Sequence, residues 1–245
     1  MKVDIFIKSY LNDFKLLRYA LVSIEKNVTG YNNIILLIPE KEKDKHEFDT
    51  RILPPRTLIH YVNEYGKGWL YQQWCKVNAA AYSDADYILF SDSDCIFTKP
   101  INVQDYIGTP EILYTSWDKV GDAIVWRKPT EAIMGEVVPF EFMRRNCLVY
   151  HRSTLVDMNI WNHKLEDIIL GSERFSEFNL IGAYAFKFER DKYNFINTDE
   201  WQYTEPKAVQ LWSHGCKGTN DVLKLNEYIR SLETIINLYD PLFAL

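Results

Sequence analysis

The chain has 245 residues, of which 47% are hydrophobic and 25% are charged, and its formal net charge at pH 7 is −6. This balance is typical of a globular protein that buries a substantial core. The sequence has no basic block, whereas phosphate backbones are bound by clustered cations, so the composition argues against nucleic acid as the main partner. A nucleotide is compatible as a small ligand, provided that a cation bridges the acidic protein and the anionic phosphates.

The sequence also bears on the compartment of the protein. Its four cysteines are widely spaced and include no C-x-x-C pair, which favours reduced thiols and an intracellular location. No apolar run approaches the roughly 18–20 residues of a transmembrane helix. Asp4 and Lys8 interrupt the first apolar run, so no signal peptide is predicted. We therefore expect a soluble, cytoplasmic protein without a transmembrane segment.

The first half of the chain alternates between strand and helix patterns. Strands are predicted at residues 3–9, 33–39, 57–62 and 85–91, and helices at residues 16–27 and 68–83. The charged run that begins at Glu40 predicts a solvated loop or an exposed helix. Strands separated by helix-length connections indicate βαβ units. We therefore predict an α/β fold whose central sheet is mostly parallel and flanked by helices.

The second half is less regular. Strands are predicted at residues 111–117, 146–151 and 208–215, and helices at residues 176–188 and 220–240. Residues 118–145 have no clean period and are predicted to be irregular or lid-like. No repeat or flexible linker is visible, so we predict a single domain over residues 1–245. Within it, residues 1–101 would bind one ligand, and residues 102–245 would shape a second site.

The stretch Phe90-Ser91-Asp92-Ser93-Asp94-Cys95 follows the fourth predicted strand directly. Alternate residues of an extended chain point the same way, so Asp92 and Asp94 can face one site beyond the carboxyl end of the strand, where ligands of parallel sheets bind. Adjacent carboxylates repel each other unless one is protonated or a cation lies between them. A hard divalent ion, Mn²⁺ or Mg²⁺, suits this position. A plain turn rich in Asp and Ser is the alternative.

At this point the sequence resembles a known family. The order of strand, helix, "GWLYQQWCKVNAA" and "DADYILFSDSDCIFTKP" is similar to nucleotide-sugar glycosyltransferases of the GT-A fold with an Asp-x-Asp motif, in particular to bacterial and viral members of the polysaccharide type. The resemblance covers residues 3–101, returns at "FSEFNLIGAYAF" and "LWSHGCKG", and is weak over 105–145. It implies a hexosyl- or pentosyltransferase that moves a sugar from a nucleoside-diphosphate sugar to a glycan or other hydroxyl acceptor, with Mn²⁺ or Mg²⁺ as cofactor.

The resemblance also implies which residues hold the metal and the diphosphate. Asp94 would be the more direct metal ligand, Asp92 would contact the donor's ribose or, through water, the metal, and Ser93 between them would also bind the donor. His214 would be the third metal ligand, because a neutral imidazole suits Mn²⁺. Lys217 would offset the charge of the departing diphosphate. A histidine that only caps the last strand is the alternative for His214.

Two further segments would contact the nucleotide. By their position at the end of the first predicted strand, Ser9 and Tyr10 would hold the nucleoside, and the ring of Tyr10 can stack on a base. Gln73 and Lys76 lie three residues apart on one helical face and would reach ribose or phosphate. The alternative for them is an exposed polar helix face. The two tryptophans of the same helix are predicted to belong to the core.

An inverting transferase also needs a carboxylate that takes the proton of the acceptor hydroxyl. Glu177 is the candidate, because it begins the predicted helix behind Ser176, in the segment whose family counterpart carries an acidic residue that faces the acceptor. Asp118, Asp122 and Glu141 are the alternatives. An acidic residue in the first turn of a helix is also explained by the helix dipole alone.

Two other classes of protein fit parts of the pattern. Haloacid-dehalogenase-like phosphatases also end an apolar strand in Asp-x-Asp and use Mg²⁺. Their motif normally lies near the start of the domain and continues to Thr or Val, whereas here three predicted strands precede it and Ile96 occupies that position. A non-catalytic carbohydrate-binding module would not need the pair of carboxylates. The sequence predicts no oligomeric state and no particular sugar, base or acceptor.

Overall fold

The structure is a computed structural model that describes residues 1–45, 53–143, 148–199, 208–210 and 229–233. The strands are β1 (Val3–Lys8), β2 (Val28–Thr29), β3 (Ile34–Pro39), β4 (Thr57–Val62), β5 (Tyr87–Phe90), β6 (Cys95–Phe97), β7 (Ile101–Asn102), β8 (Glu111–Ser116), β9 (Phe140–Glu141), β10 (Leu148–His151), β11 (Asn194–Asn197) and β12 (Ala208–Gln210). The helices are α1 (Phe14–Asn27), α2 (Gly68–Val77), α3 (Arg127–Met134), α4 (Arg152–Trp161), α5 (Leu165–Leu170) and α6 (Glu177–Phe188). Residues 229–233 are also helical.

The central sheet has the strand order β10-β5-β1-β3-β4. Strands β5, β1, β3 and β4 are parallel to one another, and β10 is antiparallel to β5. The smaller sheets are β11-β8-β9, β12-β6 and β2-β7. The predicted α/β class with a mostly parallel sheet flanked by helices is therefore confirmed, and the four strands predicted in the first half are all present.

Both faces of the central sheet are covered, as expected for parallel strands. Every residue of β1 and β3 is buried. Ile5 and Ile7 of β1 pack with α1 on one face, whereas Phe6 packs with α2 and α6 on the other. Side chains of alternate residues in a strand point to opposite faces, so the apolar run of β1 supplies both cores.

The connections of the sheet create a point at which the strand order reverses. From β1 the chain passes through α1 to β3, on one side of β1, and from β4 it passes through α2 to β5, on the other side. The carboxyl ends of β1 and β5 therefore flank the reversal, where ligands of open α/β sheets bind. The residues directly after these two ends are 9–10 and 91–94.

Residues 118–143 are more regular than the sequence predicted. They contain the 3-10 helix Gly121–Trp126, then α3 and β9. Pro129 is compatible with α3 because it lies in the first turn, where no backbone N–H is needed. The helix ends at Gly135, whose φ of 70° is left-handed. With only 8 residues and a proline, α3 gave no recognisable helical period.

Other differences are small. The helix predicted over 68–83 ends at Val77 and is followed by the 3-10 helix Ala79–Ala81. Residues 208–210 of the last predicted strand form β12, and residues 229–233 of the predicted C-terminal helix are helical, whereas the rest of both segments lies outside the described residues. Among the helices that the structure describes, none has the length and apolarity needed to cross a membrane.

Candidate functional site

The turn between β5 and β6 brings the two predicted carboxylates together. The backbone N–H of Cys95 donates to the carbonyl of Asp92 at 3.1 Å, which closes the turn. One ligand atom each of Asp92, Asp94 and Cys95 lies within 4.8 Å of the others. The predicted metal site and the alternative of a plain turn are thus compatible, because the turn itself brings the two carboxylates together.

Lys76 of α2 lies between two carboxylates. Its Nζ is 2.5 Å from Oδ1 of Asp92 and 2.7 Å from Oε1 of Glu177, the first residue of α6. The lysine is buried. Burial alone lowers the pKa of Lys76, but the charges of Asp92 and Glu177 outweigh it and hold the pKa above its ordinary value. The turn after β5 therefore already has one cation of the protein at Asp92.

Gln73 joins the same group of residues. Its Oε1 accepts a hydrogen bond from the backbone N–H of Glu177 at 3.1 Å, and its Nε2 is buried with no hydrogen-bond partner within the described ranges. The Ser176 hydroxyl caps α6 by accepting from the backbone N–H of Asn179. The alternative of an exposed polar face for Gln73 and Lys76 is wrong, because packing of α2 on α6 buries both side chains.

Asp94 has different surroundings from Asp92. Its Oδ1 accepts from Nε2 of Gln210 at 3.2 Å, and the same Nε2 lies 3.5 Å from Oδ2 of Asp92. Burial, followed by the negative charges of Asp92 and Asp13, raises the pKa of Asp94 to about 6, although the Gln210 amide acts in the opposite direction. Burial of the carboxylate is thus the main cause of the raised pKa, and repulsion from the neighbouring carboxylates adds to it.

The end of β1 lies beside this turn. Ser9 is fully buried, and its hydroxyl has no hydrogen-bond partner within the described ranges. Tyr10 is partly buried. Burial, then the charge and hydrogen bond of Asp13, and then the charge of Asp94 raise the pKa of the Tyr10 hydroxyl. The hydroxyl of Ser93 donates to Oδ2 of Asp13 at 3.0 Å, which links the segment after β1 to the turn after β5.

The structure thus brings most of the predicted site residues to one edge of the sheet. These residues are Ser9, Tyr10, Gln73, Lys76, Asp92, Ser93, Asp94 and Glu177. His214 and Lys217 lie outside the described residues. Of the alternative bases, Asp118 and Asp122 are exposed, and Glu141 is fully buried and accepts a hydrogen bond from the backbone N–H of Met143.

Two residues of this group were not predicted from the sequence, and one tryptophan was placed wrongly. Gln210 faces Cys95 in the β12–β6 ladder, and no local signal indicates that pairing. Asp13 follows the end of β1 by a few residues, so the rule that ligands bind beyond strand ends would have found it. Trp69 was predicted to be in the core, but it lies in the first turn of α2 and is 46% exposed.

The chain was also compared with known proteins. No protein-family model matches it, and no curated protein matches it significantly. Any functional assignment therefore has to come from the residues at the reversal of strand order. Those residues combine two adjacent carboxylates, a buried ammonium and a third carboxylate at the start of a helix.

Proposed function

We propose that the protein is a metal-dependent glycosyltransferase of the GT-A type that moves a sugar from a nucleoside-diphosphate sugar to a hydroxyl of a glycan acceptor. The observation that carries this proposal is the position of Asp92 and Asp94. They lie where the order of parallel strands reverses, and Lys76 connects Asp92 to Glu177. Such an arrangement supplies an anchor for a metal diphosphate next to a carboxylate that can act as a base.

The donor atoms fit a hard divalent cation. Asp92 and Asp94 offer carboxylate oxygens within 4.8 Å of each other, and Mn²⁺ and Mg²⁺ prefer oxygen ligands. Burial, then the charges of Asp92 and Asp13, raise the pKa of Asp94, and a bound cation would offset the repulsion between these carboxylates. The Cys95 thiol is a soft ligand and is not needed for such an ion. When bound, the ion would act as a Lewis acid that stabilises the charge of the leaving diphosphate.

We assign the nucleoside to the end of β1. Tyr10 is partly buried and close enough to Asp94 for that charge to affect its pKa. A partly open aromatic ring next to a diphosphate anchor is suited to stack on a nucleobase. The buried Ser9 hydroxyl, which lacks a partner among the described residues, would complete the inner wall of this part of the cleft.

We assign the proton transfer to Glu177. Gln73 fixes its backbone N–H and Lys76 fixes its Oε1, so the carboxylate is held in one orientation. No hydrogen bond to its Oε2 is seen within the described ranges. This second oxygen would accept the proton of the acceptor hydroxyl in a single inverting displacement. Lys76 supplies the opposite charge that a deprotonated base needs when it is buried.

The proposal is tested by thermal unfolding of the wild type with UDP, GDP and other nucleoside diphosphates, each with and without Mn²⁺. A nucleotide that binds the folded protein raises its Tm by mass action. We expect at least one Mn²⁺-dependent increase, and we expect Asp94→Asn to abolish it. Asp167→Asn, which changes an exposed aspartate of α5, is the matched control and should behave like the wild type.

Two outcomes would overturn the proposal. One is a wild type that responds to no nucleoside diphosphate, above all if it hydrolyses a generic phosphomonoester, because that activity belongs to a phosphatase that uses the same carboxylates. The other is an Asp94→Asn protein whose Mn²⁺-dependent stabilisation equals that of the wild type. A screen of nucleotide sugars for Mn²⁺-dependent hydrolysis would then identify the donor of a protein that passes both tests.

A further inference from the structure

Trp69 is a large aromatic residue that is exposed next to the candidate site. It lies in the first turn of α2, and 46% of its surface is exposed. Burial of apolar surface is favourable, so an exposed indole offers a ligand a surface that gains from being covered. Other residues of α2, such as Leu70 and Tyr71, are buried in the core, which shows that the helix itself is well packed.

Trp69 lies in the same row of α2 as two residues of the candidate site. Trp69, Gln73 and Lys76 are spaced i, i+4 and i+7, which places them on one face of the helix. Gln73 contacts the backbone of Glu177, and Lys76 contacts its carboxylate. The rise of an α-helix puts Trp69 about 6 Å from Gln73 and about 10 Å from Lys76 along the axis. Trp69 therefore forms the outer end of the row that leads to Glu177.

Trp69 is held by a second tryptophan. Its ring centroid is 5.5 Å from that of Trp126, at an interplanar angle of 37°. Trp126 is partly buried against the main core, and its carbonyl accepts a hydrogen bond from the Thr130 hydroxyl of α3 at 2.8 Å. Trp126 packs on the core and Trp69 packs on Trp126, so the two indoles form a fixed aromatic surface that is partly exposed. A rigid aromatic surface binds ligands with little loss of conformational entropy.

We propose that Trp69 and Trp126 form a subsite on which a sugar ring of the glycan acceptor stacks. This inference rests on the proposed function, because it needs an acceptor whose hydroxyl proton is taken by Glu177. A pyranose has apolar C–H faces and a polar rim, so it matches an aromatic wall next to a few polar groups. The offset of about 6–10 Å along α2 is too long for the ring that carries the reacting hydroxyl, but it fits the next ring of the acceptor.

The test measures saccharide binding to the wild type, Trp69→Ala and Trp69→Phe by saturation-transfer NMR and titration calorimetry. The probes are glucose, galactose, mannose, N-acetylglucosamine and disaccharides built from them. The matched control is Trp161→Ala, because Trp161 is 36% exposed and packs on Tyr184 and Phe188 of α6, away from its first turn. Thermal unfolding checks that each variant folds, and Trp126→Phe replaces Trp69→Ala if that variant does not.

We expect the wild type and Trp161→Ala to bind the same saccharide, Trp69→Ala to bind it at least about tenfold more weakly, and Trp69→Phe to lie between them. A wild type that binds none of the probes overturns the inference, as does a Trp69→Ala protein that binds like the wild type. A Trp69→Ala protein that loses nucleoside diphosphate binding but keeps saccharide binding would also overturn it, since Trp69 would then contact the donor. Nucleoside diphosphate binding by the wild type, measured separately, shows whether the proposed function itself fails.

Discussion

The two carboxylates of the turn after β5 differ in how their charge is balanced. Asp92 has the ammonium of Lys76 at 2.5 Å, whereas Asp94 accepts a hydrogen bond from the neutral amide of Gln210 at 3.2 Å. Burial and neighbouring negative charge raise the pKa of Asp94 to about 6. The protein thus balances Asp92 with its own cation, whereas no ion pair of Asp94 is seen among the described residues.

The largest expected effect comes from removing Lys76, the cation that balances the charges of Asp92 and Glu177. Lys76→Met leaves Asp92 and Glu177 without their partner, and removal of one member of a buried ion pair costs about 3–5 kcal/mol. Urea denaturation of the metal-free protein measures this loss. Lys43→Met is the matched control, because Lys43 is exposed and its ion pair with Glu40 is 3.8 Å long, and surface pairs contribute at most about 1 kcal/mol. Equal stability of the two variants would show that Lys76 does not balance these carboxylates.

The next largest effect concerns the carboxylate of Glu177, the second partner of Lys76. Glu177→Gln keeps the shape of the side chain but removes the proton acceptor, so sugar transfer should fall by about 10²-fold or more. Binding of nucleoside diphosphate with Mn²⁺ should persist, because Asp92 and Asp94 are unchanged. Initial rates with the identified donor provide the measurement. Glu173→Gln, at an exposed position just before α6, is the control, and a Glu177→Gln rate close to that of the control would reassign the base.

The smallest expected effect is a pH dependence that arises from Asp94. Since the pKa of Asp94 is raised to about 6 in the folded protein, this group favours the fold at pH values below its ordinary pKa. Its contribution is lost as the pH rises through about 6. Binding of Mn²⁺ requires the deprotonated carboxylate, so Mn²⁺ affinity should increase over the same pH range. Tm measured from pH 4 to 8 with and without Mn²⁺ tests both statements.

Asp94→Asn is the control for this pH dependence. It removes the titrating group while it keeps the size of the side chain, so the difference in Tm caused by Mn²⁺ should become small at every pH. A wild type whose Mn²⁺ affinity does not change between pH 5 and pH 7 would contradict the role of Asp94. The same result in the variant and the wild type would show that another group titrates.

Much of the fold follows from local sequence patterns. The apolar runs of β1 and β3 predict buried strands, because parallel strands covered on both faces are apolar at every position. The rule that ligands bind beyond carboxyl ends of parallel strands placed Asp92 and Asp94 correctly at the edge of the sheet. By contrast, α3 is short and contains Pro129, so its helical period is too weak to recognise.

The partners within the candidate site could not be predicted in the same way. Lys76 and Glu177 are separated by 101 residues along the chain, and Gln210 and Asp94 by 116. Periodicity reports which face of an element is apolar, but not which second element packs on that face. The sequence therefore indicated that Lys76 belongs to the site but not that it bridges two carboxylates. For the same reason it placed Trp69 in the core.

The central claim is that Asp92 and Asp94 together hold a divalent metal ion. The most direct measurement is anomalous diffraction at the manganese edge from crystals grown with Mn²⁺ and the nucleoside diphosphate that raises Tm most. The account predicts a strong anomalous peak coordinated by the carboxylates of Asp92 and Asp94, with Lys76 still in contact with Glu177. A nucleotide bound without any manganese peak at these carboxylates, or a peak at other residues only, would contradict it.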